Sequence, residues 1–330
     1  MPRSRLWLIV VICVAVVVVL AAMLRVGSKE SVTTRPSSAQ SLGDFPLIAR
    51  TNGSLFGISA TADVQRLAPS VTSLFHLQEL PYDAVWSPDG AYVAILPRDP
   101  FASWHIYRAP DGQDAATLSS NIDALTWSYD GTRIAYQYAL DDGKFNVTVA
   151  DPDGKNWTAL VILPSRAQQL LWLPDQTHML VLDSAGTVSL LGLSSKTLVP
   201  VLSNAVSMSL SPDGGAVLVA TAASSDVEFR HVVLQLPASI TDASSIQQDA
   251  IAETTTHPYD MVWATEGNVL ALRHSPTASV TRIAVVGGKS ILLTLPQPPP
   301  TLDDTTRLLG AIDTTLYLRV GPTVYAVPVN

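Results

Sequence analysis

The sequence predicts an all-β fold, a six-bladed β-propeller, preceded by one N-terminal transmembrane helix. Three observations carry that prediction. A phrase built on Trp-Ser-Pro-Asp-Gly recurs along the chain. Each copy joins two apolar runs across a turn. An uncharged run of 19 residues, Leu6 to Leu24, stands near the N-terminus.

The phrase Trp86-Ser87-Pro88-Asp89-Gly90 returns as Trp127-Ser128-Tyr129-Asp130-Gly131 and as Trp172-Leu173-Pro174-Asp175-Gln176. Further copies are Leu210-Ser211-Pro212-Asp213-Gly214 and Trp263-Ala264-Thr265-Glu266-Gly267, with a fainter one around Gly310-Ala311-Ile312-Asp313-Thr314. The spacing is roughly 40–50 residues, the range of repeated supersecondary units. Within a copy, Pro presets φ, Asp caps the turn through its side chain and Gly takes the positive φ of a tight reversal. The run after the turn is apolar on both faces: Ala91, Val93 and Ile95 on one, Tyr92, Ala94 and Leu96 on the other. A second hairpin follows in several copies, as at Trp104–Arg108, Asp111-Gly112 and Ala116–Leu118. Four short strands with two apolar faces cannot stand alone in water, whereas radially stacked copies cover one another.

Trp-Ser-Pro-Asp-Gly followed by a strand, and then Asp151-Pro152-Asp153-Gly154 before a last short strand, resembles the TolB-like, WD40-like propeller repeat. The resemblance covers residues 44–330. It implies a non-catalytic binding or scaffolding propeller outside the bacterial cytoplasm. Related propellers also occur as accessory domains on serine peptidases; no peptidase domain is expected here.

The chain order fits this plan. Arg3 and Arg5 precede the apolar run, which has the length of a membrane-crossing helix and a flank that favours a cytoplasmic N-terminus. A cleaved signal peptide is the alternative. Residues 1–5 read as a cytoplasmic stub, 6–24 as the transmembrane helix, 25–43 as a flexible linker and 44–330 as the propeller. Pro46–Arg50, Ser54–Ile58 and Asp63–Leu67 read as the back part of a unit whose first strand is missing. Arg307–Leu309, Thr315–Leu318 and Thr323–Val327 read as the front part of one. Sharing a blade between the two ends would remove open sheet edges, so N-terminal strands are expected to complete the last blade. Six blades is the expectation, and seven if the N-terminal strands form a blade of their own. Residues 237–257 read as a long polar loop, and 296–304 as a proline-rich one.

Composition narrows function. The protein carries a net charge of −8, and the first 25 residues hold three arginines and no acid, so the remainder stands at −11. Such a body does not suit nucleic acid. Cys13 is the one cysteine and excludes an intrachain disulfide. The six histidines show no metal-ligand spacing, and no Gly-x-Ser-x-Gly or phosphate-cradling loop is present. No catalytic residue, cofactor or metal ligand is therefore assigned.

One phrase stands apart. Pro81-Tyr82-Asp83-Ala84-Val85-Trp86 and Pro258-Tyr259-Asp260-Met261-Val262-Trp263 are nearly identical, and Asp123 sits one residue out of register before Trp127. Asp83, Asp260 and Asp123 are the candidate acidic site at the channel mouth, suited to a hard cation such as Ca²⁺ or to a Lys or Arg side chain. The plainer reading is that each caps a turn. Trp86, Trp127, Trp172 and Trp263 are expected in the packing between blades. Trp104 and Trp157 fall outside that register and are candidate partner-contact aromatics.

The function expected is a membrane-anchored extracytoplasmic module that binds or scaffolds a protein or peptide at the cell envelope, with no enzymatic activity of its own. The alternatives are a lyase- or lactonase-type propeller enzyme and a ligand sensor, each using an acidic site at the channel mouth.

Overall fold

The computed structural model describes residues 38–329, apart from 52, 100–101, 120, 224–227, 265–266, 275–278, 286–288, 294, 296–301 and 304. The transmembrane and stub expectations fall outside these residues, as does most of the proline-rich loop. No helix among the described residues is long and apolar enough to cross a membrane.

Among the described residues, twenty-eight strands form seven antiparallel sheets of four. Blade I holds β2 (Leu47–Thr51), β3 (Ser54–Ile58), β4 (Asp63–Ala68) and β5 (Thr72–His76). Blade II holds β6 (Asp83–Trp86), β7 (Tyr92–Leu96), β8 (His105–Arg108) and β9 (Asp114–Thr117). Blade III holds β10 (Ile122–Trp127), β11 (Ile134–Ala139), β12 (Phe145–Ala150) and β13 (Thr158–Leu163). Blade IV holds β14 (Ala167–Trp172), β15 (His178–Asp183), β16 (Val188–Gly192) and β17 (Leu198–Leu202). Blade V holds β18 (Ala205–Leu210), β19 (Ala216–Ala222), β20 (Phe229–Gln235) and β21 (Gln247–Thr255). Blade VI holds β22 (Met261–Trp263), β23 (Asn268–Arg273), β24 (Ser279–Ala284) and β25 (Ser290–Leu292). Blade VII holds β26 (Arg307–Ile312), β27 (Thr315–Val320) and β28 (Thr323–Pro328), with β1 (Gln40–Asp44) as its outer strand. The first strands of successive blades are neighbours, and β26 meets β2, so the ring closes.

The ring therefore has seven blades, not six. The stretch from Leu47 is not the back of an incomplete unit but a whole blade, whose inner strand β2 ends in a turn without the Trp-Ser-Pro-Asp-Gly phrase. N-terminal completion of the last blade holds: Gln40, Ser41, Gly43 and Asp44 pair with Ala326, Tyr325, Val324 and Thr323. All but the last residue of that strand, Gln40 to Gly43, come from the stretch expected to be linker. Residues 237–257 are likewise not one loop. They contain a short 3-10 turn, Ala243–Ser245, and then the outer strand β21, whose polar alternation suits an edge facing water.

The core follows the same count. Among the described residues, seven buried apolar clusters occur, each built from two adjacent blades. The repeat tryptophans are buried and pack on the preceding blade. Trp86 stacks on Phe56 at 5.6 Å between centroids, and Trp127 on Tyr92 at 5.8 Å. The indole N–H of Trp127 donates to the Val85 carbonyl at 3.0 Å, and that of Trp263 to Ser209 at 2.9 Å.

The turn explains the rest of the phrase. Ser87 is buried, and its hydroxyl donates to Asp89 at 2.6 Å while accepting the Tyr92 N–H at 2.9 Å. The same arrangement recurs at Ser128–Asp130 and Ser211–Asp213. Gly90, Gly131 and Gly214 take φ near +70°, and Gln176 adopts φ +58° where blade IV lacks the glycine.

Candidate functional site

The inner strands enclose a cavity of about 700 Å³. Its walls include Arg50, Asp83, Thr126, Gln169, Ser209 and Trp263. Among the described residues that line it there is one carboxylate, no histidine and no cysteine. Gln169 also ties neighbouring inner strands together: its amide donates to the Met208 carbonyl at 2.7 Å and accepts the Met208 N–H at 2.9 Å. Gln137, fully buried, makes the equivalent pair with Ala167 at 2.7 and 2.8 Å.

Arg50, from β2, is the cavity's cation. Its guanidinium donates to the carbonyls of Trp263, Ala264 (2.6 Å) and Ala311 (2.8 Å), joining blade I to blades VI and VII. Burial pulls its pKa down to about 10.

The three candidate aspartates have different surroundings. Asp83 lines the cavity and is exposed, and its Oδ1 accepts the Ala84 N–H at 2.7 Å. Even so, the surrounding walls desolvate it and push its carboxyl above the usual range, against the pull of that hydrogen bond. Asp123 does not line the cavity and pairs with Arg166 of the next blade at 2.8 Å. Asp260 is fully buried, is not part of the cavity wall, and lies against two histidines. The structure thus brings only Asp83 of the three onto the cavity.

The candidate aromatics also differ. Trp104 is buried, its indole N–H donating to Ile122 at 3.2 Å, so it offers no exposed anchor. Trp157 is 64% exposed. Tyr82 and Tyr259, which precede Asp83 and Asp260 in the shared phrase, are exposed at 71% and 61%.

Sequence reasoning missed what surrounds Asp260. His257, three residues before it, and His274, just after β23, both reach its carboxylate. No fixed spacing announces them. The signal lies in the comparison of the two copies. Leu80 holds the place of His257 in blade II, and by strand register Arg98 holds that of His274. His231 is buried nearby, and burial drives its pKa down to about 4, against the opposing pull of the Pro258 carbonyl and the Asp260 charge.

No protein-family model matches the chain, and no curated protein matches it. The chain is a seven-bladed β-propeller. Among solved structures it is similar to the Cps50 (Swd1) β-propeller domain of Myceliophteria thermophila, with a TM-score of 0.60 at 12% sequence identity. That likeness covers 88% of this chain and 98% of the other. At this identity it shows the fold alone.

Proposed function

We propose that this propeller is a non-catalytic module that binds or scaffolds a protein or peptide. The observation that carries the reading is the wall of the central cavity. It offers hydroxyls, amides, apolar surface and, among the described residues, one carboxylate, the mix of a few polar groups on an apolar wall that recognises a ligand. Asp83 supplies a charge for a Lys or Arg side chain. Tyr82 and Tyr259, just before the inner strands of blades II and VI, supply amphipathic aromatic surface of the kind that anchors protein partners. A rigid ring that presents loops is the common build of interaction modules.

We propose further that the propeller is TolB-like and works at the bacterial cell envelope, tethered through the apolar run Leu6–Leu24 with its N-terminus inside. The repeat phrase and the positive flank of that run support this reading.

The test is site-specific photo-crosslinking in intact cells, with the crosslinker placed at Tyr82, Tyr259 or, on the outer strand of blade VI, Ile291. A discrete protein adduct at the tyrosines, weakened by Asp83→Ala and absent at Ile291, is expected. No adduct at either tyrosine, or the same adducts at all three positions, would overturn the proposal. Protease accessibility of the propeller in spheroplasts checks its side of the membrane.

A further inference from the structure

The connection between β21 and β22 and the end of β23 bring three ligand-type side chains together at the seam of blades V and VI. Oδ2 of the fully buried Asp260 lies 3.0 Å from His257 Nδ1 and 3.1 Å from His274 Nε2. One ligand atom from each residue falls within 4.8 Å of the other two. The same Oδ2 accepts the His257 N–H at 3.1 Å and the Thr256 hydroxyl at 3.2 Å.

The distribution is lopsided. Four donors or imidazole nitrogens crowd one carboxylate oxygen, which offers about two lone-pair sites. Its twin, Oδ1, is buried with no partner, and so is Nδ1 of His274. A network built only for hydrogen bonding would spread its donors over both oxygens. The crowding also gathers one ligand atom from each of three side chains into a single cluster, which is what a cation site requires.

Charge points the same way. A fully buried carboxylate needs a compensating positive charge. Among the described residues the ion-pairing partners of Asp260 are the two histidines. The neighbouring Arg273 is committed to Glu253 at 2.6 and 2.7 Å.

We propose that His257, Asp260 and His274 bind a divalent transition-metal ion of the zinc type. Ligands about 2.0–2.1 Å from a tetrahedral ion lie roughly 3.3 Å apart, so the observed 3.0 and 3.1 Å would open by a few tenths of an ångström, while the two imidazole nitrogens, within 4.8 Å of each other, would settle at the same separation. Two imidazoles and one carboxylate suit Zn²⁺, Co²⁺ or Ni²⁺. They do not suit Ca²⁺, which takes six to eight oxygens. Three protein ligands leave a fourth position. The His257 side chain is 43% exposed, whereas those of Asp260 and His274 are buried at 0% and 7%, so that position opens to water on the His257 side. The ion pins the loop between blades V and VI to the end of β23. The site is separate from the Asp83 cavity, and its fate does not depend on the binding role proposed for that cavity.

The test uses the full chain, purified without an affinity tag, stripped with a chelator and titrated with Co²⁺ alone. One equivalent is expected to bind and give the ligand-field absorption of a four- or five-coordinate ion, which Zn²⁺ then displaces. Removing even an outer partner of a metal ligand costs about 10–100-fold in affinity, so His257→Ala and Asp260→Asn should each weaken Co²⁺ binding at least that much. His178→Ala, at the unrelated His178–Asp175 pair, should leave it unchanged. His257 is half exposed, so its variant is expected to keep the melting temperature of the metal-free protein; His257→Gln serves as a second check on folding. Absence of stoichiometric Co²⁺ binding, or binding indifferent to a folded His257 variant, would overturn the proposal.

Discussion

Replacing Arg50 with Met should destabilise the ring out of proportion to the size of the change. Arg50 donates to three backbone carbonyls in two other blades, at Trp263, Ala264 and Ala311. Hydrogen bonds to a charged group contribute about 1.5–3 kcal/mol each, so the set is worth roughly 5–9 kcal/mol. Burying the cation opposes this. Burial pulls its pKa down to about 10, which at about 1.4 kcal/mol per unit costs about 3 kcal/mol. The net loss on Arg50→Met is therefore about 2–6 kcal/mol. Met keeps most of the aliphatic stem, so little of that is lost packing. Urea unfolding of the propeller followed by tryptophan fluorescence measures it. Gly310 gives an internal check, because a Cβ there would run into the Arg50 guanidinium, and its φ of +121° disfavours any side chain. Gly310→Ala should cost less in the Arg50→Met background than in the parent. A loss below about 1 kcal/mol for Arg50→Met, or strict additivity with Gly310→Ala, would refute the claim that this guanidinium holds the closure.

Truncation before residue 38 should leave the propeller folded and its elution in size-exclusion chromatography governed by the ring alone. Truncation before residue 45 removes β1, exposes the edge of β28, and should lower the melting temperature and promote self-association in size-exclusion chromatography. Asp83→Asn should raise stability at neutral pH. The folded carboxyl titrates above its unfolded value, so it favours folding only while protonated, and that contribution is lost as pH rises through the folded pKa. The gain from Asn should therefore vanish in acid, as read by melting temperature against pH. Gln137→Leu strands a buried N–H and C=O of Ala167 and should cost about 2–4 kcal/mol in urea. Trp127→Phe should cost about 1 kcal/mol more than Trp86→Phe, because the indole N–H of Trp127 has a carbonyl partner and that of Trp86 is buried without one.

The blades most legible in the sequence were II, III and V, whose hairpins carry the buried Ser–Asp pair, followed by IV and VI, which keep the tryptophan of the phrase without that serine. Blade I turns through Thr51 and Ser54 without it, and so passed for a fragment. β1 was hidden because an outer strand needs only backbone pairing, and Gln40-Ser41-Leu42-Gly43-Asp44 carries no apolar alternation. β21 was hidden for a related reason: a long outer strand with a polar face looks like a loop. The shared phrase around Asp83 and Asp260 was visible, but its two copies diverge in their surroundings. The walls of the cavity desolvate Asp83, whereas Asp260 is taken inward by His257 and His274, which come from different turns. That proximity combines the three-residue spacing of His257 and Asp260 with the pairing of β22 and β23 that brings His274 alongside.

The links between blades show how a ring without ladder bonds between its sheets keeps its register. Apolar clusters at the seven seams supply most of the cohesion, but hydrophobic burial is non-directional and tolerates sliding. Directional bonds to the backbone of a neighbouring inner strand do not. Trp127 fixes blade III to II, Gln137 fixes III to IV, Gln169 fixes IV to V, and Trp263 fixes VI to V. Arg50 then ties blade I across the closure to VI and VII. Every one of these acceptors is a carbonyl on or beside an inner strand, and four of the residues that supply them, Val85, Met208, Ser209 and Trp263, line the cavity. The same bonds that hold the ring therefore set the position of the residues that line it, so loosening a seam should move the cavity wall before it unfolds the blade.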